Sequence, residues 1–234
     1  NNNNCQRFGR EEKMKAVIFD MDGLMIDSER LITKAMVNTG RLFGYDNIKI
    51  LCEKSTGVTS AQTKRIFIEH LGEDFPYDEF LKTAKESYLK DIEENGLPTK
   101  KGLFELLDFL KENQFSLAVA TSTREVTALK NLERINAVRY FDCIICGDKV
   151  EKSKPDPEIY LKAAEMLTVE PKLCYVLEDS YNGIKSAYRA GMKPIMIPDL
   201  LPFNDEIKPF VYKKCDCLLD VIEIINSEKI TCGR

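Results

Sequence analysis

Five short apolar runs punctuate the chain. They are Ala16-Val17-Ile18-Phe19, Ser116-Leu117-Ala118-Val119-Ala120, Cys143-Ile144-Ile145-Cys146, Cys174-Tyr175-Val176-Leu177 and Pro194-Ile195-Met196-Ile197. Continuous runs of four or five residues predict strands buried on both faces of a parallel sheet. Between the later runs the apolar positions return at helical spacing. Thr123 is placed to cap a helix through Val126, Leu129 and Leu132. Asp156-Pro157-Glu158 reads as a helix start, with a capping acid, proline in the first turn and an acid at the positive end of the dipole. Ile159, Ala163 and Met166-Leu167 continue its apolar face. A further helix spans Ser180 to Ala190 and stops at Gly191. Strand and helix in alternation predict an α/β fold, a doubly wound parallel sheet.

The first two strands break this rhythm, because about a hundred residues separate them where a simple crossover needs roughly thirty. Strand patterns are scarce in that gap. Ser28 is placed to cap a helix with Leu31, Ile32, Ala35 and Met36 on one face. A second helix is expected from about Thr59 to His70. A third is expected from about Tyr77 to Glu94, with Phe80-Leu81, Ala84, Tyr88 and Ile92 at helical spacing. A helix from about Gly102 to Lys111 then leads back to the sheet. The division expected is a discontinuous α/β core, residues 1–28 and 96–234, interrupted by a helical domain of residues 29–95. Asn1 to Asn4 form a low-complexity tail and take no part in this reading.

Composition narrows the function. The 234 residues are 44% hydrophobic and 31% charged, as in ordinary globular proteins. No apolar run approaches the roughly 18 residues of a spanning helix. The net charge is −4, from 34 basic and 38 acidic residues that are interspersed, which argues against nucleic acid as a partner. No charged-then-apolar leader is visible, so a cytoplasmic protein with reduced thiols is expected, with a monomer as the default. Cys143 and Cys146 point to opposite faces of a strand and read as core thiols. Cys215 and Cys217 lack the partners of a zinc site. The single histidine, His70, falls near a helix C-terminus, where a basic side chain is at home. Nucleophile–histidine hydrolysis is therefore not expected.

Ligands of an open parallel sheet bind beyond the carboxyl ends of its strands. Those ends carry Asp20-Met21-Asp22-Gly23, Thr121-Ser122, a loop with Lys154, and Glu178-Asp179. Singly, each has a plainer reading: solvated loop acids, a helix cap, a loop lysine. Jointly and in this order they answer the needs of phosphoryl transfer. Carboxylates around a phosphate repel it, and a hard divalent cation such as magnesium resolves the conflict. One carboxylate can attack phosphorus, and a second can protonate the leaving oxygen and later take a proton from water. A lysine and a hydroxyl can hold the equatorial oxygens.

These residues carry a resemblance. Phe19-Asp20-Met21-Asp22-Gly23-Leu24-Met25-Ile26-Asp27-Ser28, Ala120-Thr121-Ser122, Lys152-Ser153-Lys154-Pro155-Asp156-Pro157 and Leu177-Glu178-Asp179-Ser180-Tyr181-Asn182-Gly183-Ile184 resemble the motifs of the haloacid dehalogenase superfamily, in its β-phosphoglucomutase-like phosphatase branch. The resemblance spans residues 15 to about 198. It implies Asp20 as nucleophile and magnesium ligand, and Asp22 as general acid/base whose backbone carbonyl also meets the metal. It implies Thr121 and Ser122 on the phosphoryl oxygens and Lys154 between Asp20 and the phosphoryl group. Asp179 would complete the metal site, with Glu178 a ligand or a partner behind it. The inserted helices correspond to the family's cap. The expected activity is a phosphatase for small phosphorylated metabolites, sugar phosphates foremost. The alternative is a phosphosugar mutase, which in that branch needs a histidine and an arginine where this chain has Ile32 and Ser60. Arg65 and Lys85 are candidate substrate grips in their stead. A dehalogenase would need neither Asp22 nor the Glu178-Asp179 pair, and a non-catalytic relative would not need the full set.

Overall fold

A computed structural model describes residues 16–231, and side chains through residue 228. Asn1 to Asn4 lie outside the described residues. The sheet is built from β1 (Ala16–Phe19), β2 (Ser116–Ala120), β3 (Cys143–Ile145), β4 (Cys174–Glu178), β5 (Lys193–Met196) and β6 (Lys213–Lys214). All pairings are parallel, in the order β3-β2-β1-β4-β5-β6. The chain winds outward from β1 in one direction and from β4 in the other. The switch point, where ligands of such sheets bind, therefore lies between β1 and β4.

Alternation along the strands explains why both faces are apolar. Val17, Phe19, Leu117, Val119, Tyr175 and Leu177 belong to one core, packed against α5 (Leu103–Glu112), α6 (Glu125–Arg134) and α9 (Asp220–Thr231). Ala16, Ile18, Ala118, Ala120 and Val176 belong to the other, covered by α7 (Glu158–Leu167) and α8 (Tyr181–Arg189). Cys143 lies in one core and Cys146 in the other, both as free thiols. No helix among the described residues is long and apolar enough to cross a membrane.

Between β1 and β2 stand α1 (Ser28–Leu42), α2 (Ile48–Lys54), α3 (Ser60–Leu71) and α4 (Tyr77–Asn95). They bury a core of their own, Met36, Ile48, Leu51, Phe67, Phe75, Tyr77, Phe80 and Ala84. Its rings pack closely: Phe75 lies 5.2 Å and Phe67 5.8 Å from Phe80, centroid to centroid. The two segments joining these helices to the sheet run side by side. Asp27 N donates to Pro98 O and Lys100 N to Met25 O, each at 2.9 Å.

Several local expectations shift. Ser28 does not cap α1; it is the first helical residue, and its hydroxyl donates to Asp22 Oδ1 at 2.6 Å. Thr123 does not cap α6, which starts two residues later, and its hydroxyl donates to Asp22 Oδ2 at 2.7 Å. Val126 is exposed, because the buried face of α6 is Ala128, Asn131 and Leu132. Proline stands at the N-cap of α7 rather than inside it, and Asp156 Oδ1 accepts from Glu158 N. Thr59 does cap α3, in a reciprocal pair with Gln62. Three elements among the described residues were not expected from the sequence, α2, β6 and α9.

Glu158, the first residue of α7, holds the loop that precedes it. Its carboxylate accepts from Lys162 Nζ at 2.7 Å and from the backbone N–H groups of Glu151 and Lys152. These bonds favour the ionised form and lower its pKa from 4.5 to about 2. Because the folded value is the lower one, the stabilisation is complete above about pH 4.5 and fades as pH falls towards 2. Wild type should therefore unfold at a higher temperature than Glu158→Gln at pH 6 and above. The gap should close between about pH 5 and 2 in thermal scans; a gap that persists at pH 2 contradicts the assignment.

Candidate active site

Asp20 follows β1 directly, so its backbone N–H still pairs with Leu177 O of β4. Its carboxylate is buried and projects at the switch point. Oδ1 accepts from Lys154 Nζ at 2.6 Å, and Oδ2 takes no hydrogen bond among the described residues. Lys154 is 6% exposed and uses all three of its protons. The other two go to Glu178 Oε1 at 2.8 Å and Ala120 O at 3.0 Å. The ring of Tyr160, on α7, lies 4.9 Å from the ammonium.

Glu178 ends β4 and is fully buried. Its Oε1 accepts from Lys154 and from Tyr160 OH at 2.8 Å. Its Oε2 accepts from the N–H groups of Asp179 and Ser180 and from Ser180 Oγ. Those bonds occupy both oxygens. Glu178 is thus the anchor of Lys154 and of the N-terminus of α8. Gly183, in the first turn of α8, is required here, since a Cβ would overlap the Glu178 carboxylate. Gly23 is required for a second reason. It turns the chain with φ +80°, and a Cβ on it would overlap Asp179 Oδ2.

Asp22 is held on three sides, by Ser28, by Thr123 and by Thr121 Oγ1 at the 3.5 Å limit. Thr121 is 1% exposed, and its Oγ1 also accepts from Thr123 N. Ser122, next to it, is exposed and faces the same cavity.

Oxygens of Asp20, Glu178 and Asp179 lie within 4.8 Å of one another. Three buried carboxylates share one ammonium, and their ionisation shows the imbalance. Burial, then Glu178, raises Asp20 against the pull of Lys154, to about 8. Burial, Glu178 and Asp20 push Asp179 well above its ordinary value. Burial also opposes the charge on Glu178, but Lys154 and the hydrogen bonds outweigh it and hold the group low. Burial works against the charged form of Lys154 too, yet Asp20 and Glu178 hold it well above 10.5. An excess of buried negative charge on hard oxygen donors fits a divalent cation.

A cavity of about 860 Å³ opens above these groups. Asp20, Asp22, Thr121, Ser122, Lys154 and Asp179 line its floor. Its roof comes from the inserted helices: Ile32, Thr33, Met36, Cys52, Ser55, Thr56, Val58, Thr59, Ser60, Thr63 and Phe67. Arg65 and Lys85 are absent from it, contrary to their expected role as grips. On α3 the turn facing the cavity carries Thr63 and Phe67, which puts Arg65 on the far side, exposed and paired with Glu69. Lys85 is exposed on α4 beside the buried Ala84. Such a surface pair contributes only about 0.3–0.5 kcal/mol. Sequence reading missed Ser28, Thr123 and Tyr160, the residues that hold Asp22 and Glu178. For Tyr160 there was one signal: a phenol on the apolar face of a helix needs a buried partner.

A model of the family described as haloacid dehalogenase-like hydrolase matches residues 17–197. The phosphorylated carbohydrates phosphatase of Thermotoga maritima is 37% identical over 182 residues, 78% of this chain and 84% of that protein. Among solved structures, a protein of Thermotoga maritima named "putative beta-phosphoglucomutase" superposes with a TM-score of 0.79 at 31% identity, covering 92% of this chain and 99% of the other. CbbY of Rhodobacter sphaeroides, solved in complex with phosphate, superposes with a TM-score of 0.69 at 26% identity, over 89% and 96% of the two chains.

Proposed function

Since the chain belongs to the haloacid dehalogenase-like hydrolases and is a phosphatase of that family, we propose that it hydrolyses small phosphorylated metabolites, sugar phosphates foremost, with magnesium and through an aspartyl phosphate on Asp20. One observation carries the reading. At the cavity floor Asp20 has one oxygen fixed by Lys154 and the other unoccupied. That is how a carboxylate must be held to attack in line.

Asp20 Oδ2 attacks phosphorus, and the bond from phosphorus to the leaving oxygen breaks. Asp22 gives that oxygen a proton. A water then attacks the aspartyl phosphate, Asp22 takes its proton, and phosphate leaves with the Asp20 carboxylate restored. Thr121, Ser122 and Lys154 bear on the phosphoryl oxygens as charge shifts among them. Asp20 and Asp179, with the backbone carbonyl of Asp22, would hold the magnesium. When bound, it supplies the positive charge that lets a phosphate sit among carboxylates. Glu178 stays behind them as the anchor of Lys154. The helical segment 29–95 acts as the cap that closes over the substrate and excludes bulk water.

The lining favours hydrolysis of a substrate with one phosphate. The roof contributes hydroxyls, apolar groups, the Cys52 thiol and the Glu29 carboxylate, but no lysine or arginine. The one further cation on the walls, Lys185, is paired with Glu206 at 2.9 Å. A mutase must grip a second phosphate, and among the described residues no unpaired cation lines the cavity to do so. The test is phosphate release from a panel of sugar and other small phosphates, with magnesium and with chelator. Release is expected with magnesium alone. Incubation with β-glucose 1-phosphate and its bisphosphate should liberate phosphate; rapid glucose 6-phosphate without free phosphate overturns the choice.

A further inference from the structure

Among the described residues, one buried side-chain oxygen or nitrogen has no hydrogen-bond partner: Asp199 Oδ2. Buried polar atoms left unpaired are exceptional and ask for a missing partner. Asp199 lies on the loop after β5, and its side chain is 8% exposed. Its Oδ1 is taken, accepting from Arg30 Nη2 at 2.6 Å and Lys100 Nζ at 2.8 Å. A carboxylate oxygen of Asp199 lies within 4.8 Å of oxygens of both Asp179 and Glu29. Glu29 is half-buried in the first turn of α1 and belongs to none of these ion pairs.

We propose that Glu29 and Asp199 are positioning residues for the magnesium centre, accepting hydrogen bonds from water molecules that the cation retains on its Asp179 side. The proposal rests on the magnesium reading above. Three features lead to it. Magnesium dehydrates reluctantly and keeps several waters, each a strong donor. One water making two hydrogen bonds of about 2.8 Å spans acceptors up to about 5 Å apart, and the oxygens here lie within that reach, inside 4.8 Å of one another. Charge then selects water over a second ion. Asp27, Glu29 and Asp199 face Arg30 and Lys100, which leaves one negative charge. A second divalent cation would overcompensate it, whereas neutral waters satisfy the lone pairs without adding charge.

The test is calorimetric titration of magnesium into the chelator-stripped full chain, with no substrate present. Wild type, Glu29→Gln and Asp199→Asn are compared, each also melted in chelator. The expected result is one magnesium per chain, with Kd weakened roughly tenfold or more by either substitution. In chelator, Asp199→Asn should melt lower, having lost its ion pairs, and Glu29→Gln should not. A purely structural role would lower the melting temperature and leave Kd unmoved. Unchanged Kd in both variants overturns the proposal alone. Two magnesium ions per chain, one lost in Glu29→Gln, overturn it in favour of a second cation site. No magnesium binding by wild type overturns it together with the reading on which it rests.

Discussion

Asp20→Asn should abolish phosphate release, by roughly 10⁴-fold or more at saturating magnesium, while leaving the fold intact. The asparagine is isosteric and still accepts from Lys154 through its amide oxygen. It no longer offers a carboxylate oxygen for attack on phosphorus. Its effect on stability should be the reverse of what loss of a buried ion pair suggests. In the metal-free protein, Asp20, Glu178 and Asp179 crowd together with one ammonium among them. Asp20 is accordingly pushed up to about 8, chiefly by burial. Removing the charge it carries above about pH 8 relieves that crowding, so in chelator the melting temperature should hold at neutral pH and rise above pH 8. Two measurements decide the matter, initial rates of phosphate release and a melt in chelator. A variant that regains wild-type rates at high magnesium would reduce Asp20 to a cation ligand and remove it as the nucleophile.

The grouping of Asp20, Thr121, Lys154 and Asp179 around one cavity was legible because strand ends are legible. β1 is four consecutive apolar residues, and the acid that follows must emerge at the edge of the sheet. The same logic located Thr121 and the Glu178-Asp179 pair. What sequence does not encode openly is the direction of a side chain at a helix start. Ser28 and Thr123 have the residue type of a cap, and a hydroxyl there bonds either its own backbone or a neighbour. Asp22 lies within reach of both, and it wins. Arg65 and Lys85 failed for a related reason, since a helix buried by its aromatic side turns its cations to solvent. Of the three unforeseen elements, α2 is seven residues with no capping side chain, β6 is two exposed lysines, and α9 is a 12-residue helix beyond the last predicted strand. The role of Glu178 needed three dimensions. Its pairing with Asp179 in sequence left it a metal ligand or a partner behind the site, and the structure shows Lys154, Tyr160 and Ser180 converging on it.

Lys154→Met should be the most damaging single substitution for stability, as well as inactive. Methionine matches the stem of lysine and fills its space, so the effect isolates the charge. Without the ammonium, Glu178 at 0% exposure and Asp20 at 11% lose their only cationic partner among the described residues. Removing one member of a buried ion pair costs about 3–5 kcal/mol. For a chain of this size that lowers the melting temperature by about 10 °C. Lys154→Arg should fail as well. The three acceptors converge on a single nitrogen, Asp20 Oδ1, Glu178 Oε1 and Ala120 O, which suits a compact ammonium and not a planar fork. Joined to Asp20→Asn, the methionine variant should recover part of its stability, because one of the stranded charges is gone. That non-additivity is the signature of direct coupling. Melting the two single variants and the double variant in chelator is the measurement. A melting temperature of Lys154→Met equal to that of wild type, or strict additivity in the double variant, would sink the account of Lys154 as the counter-charge that makes this acidic cluster possible.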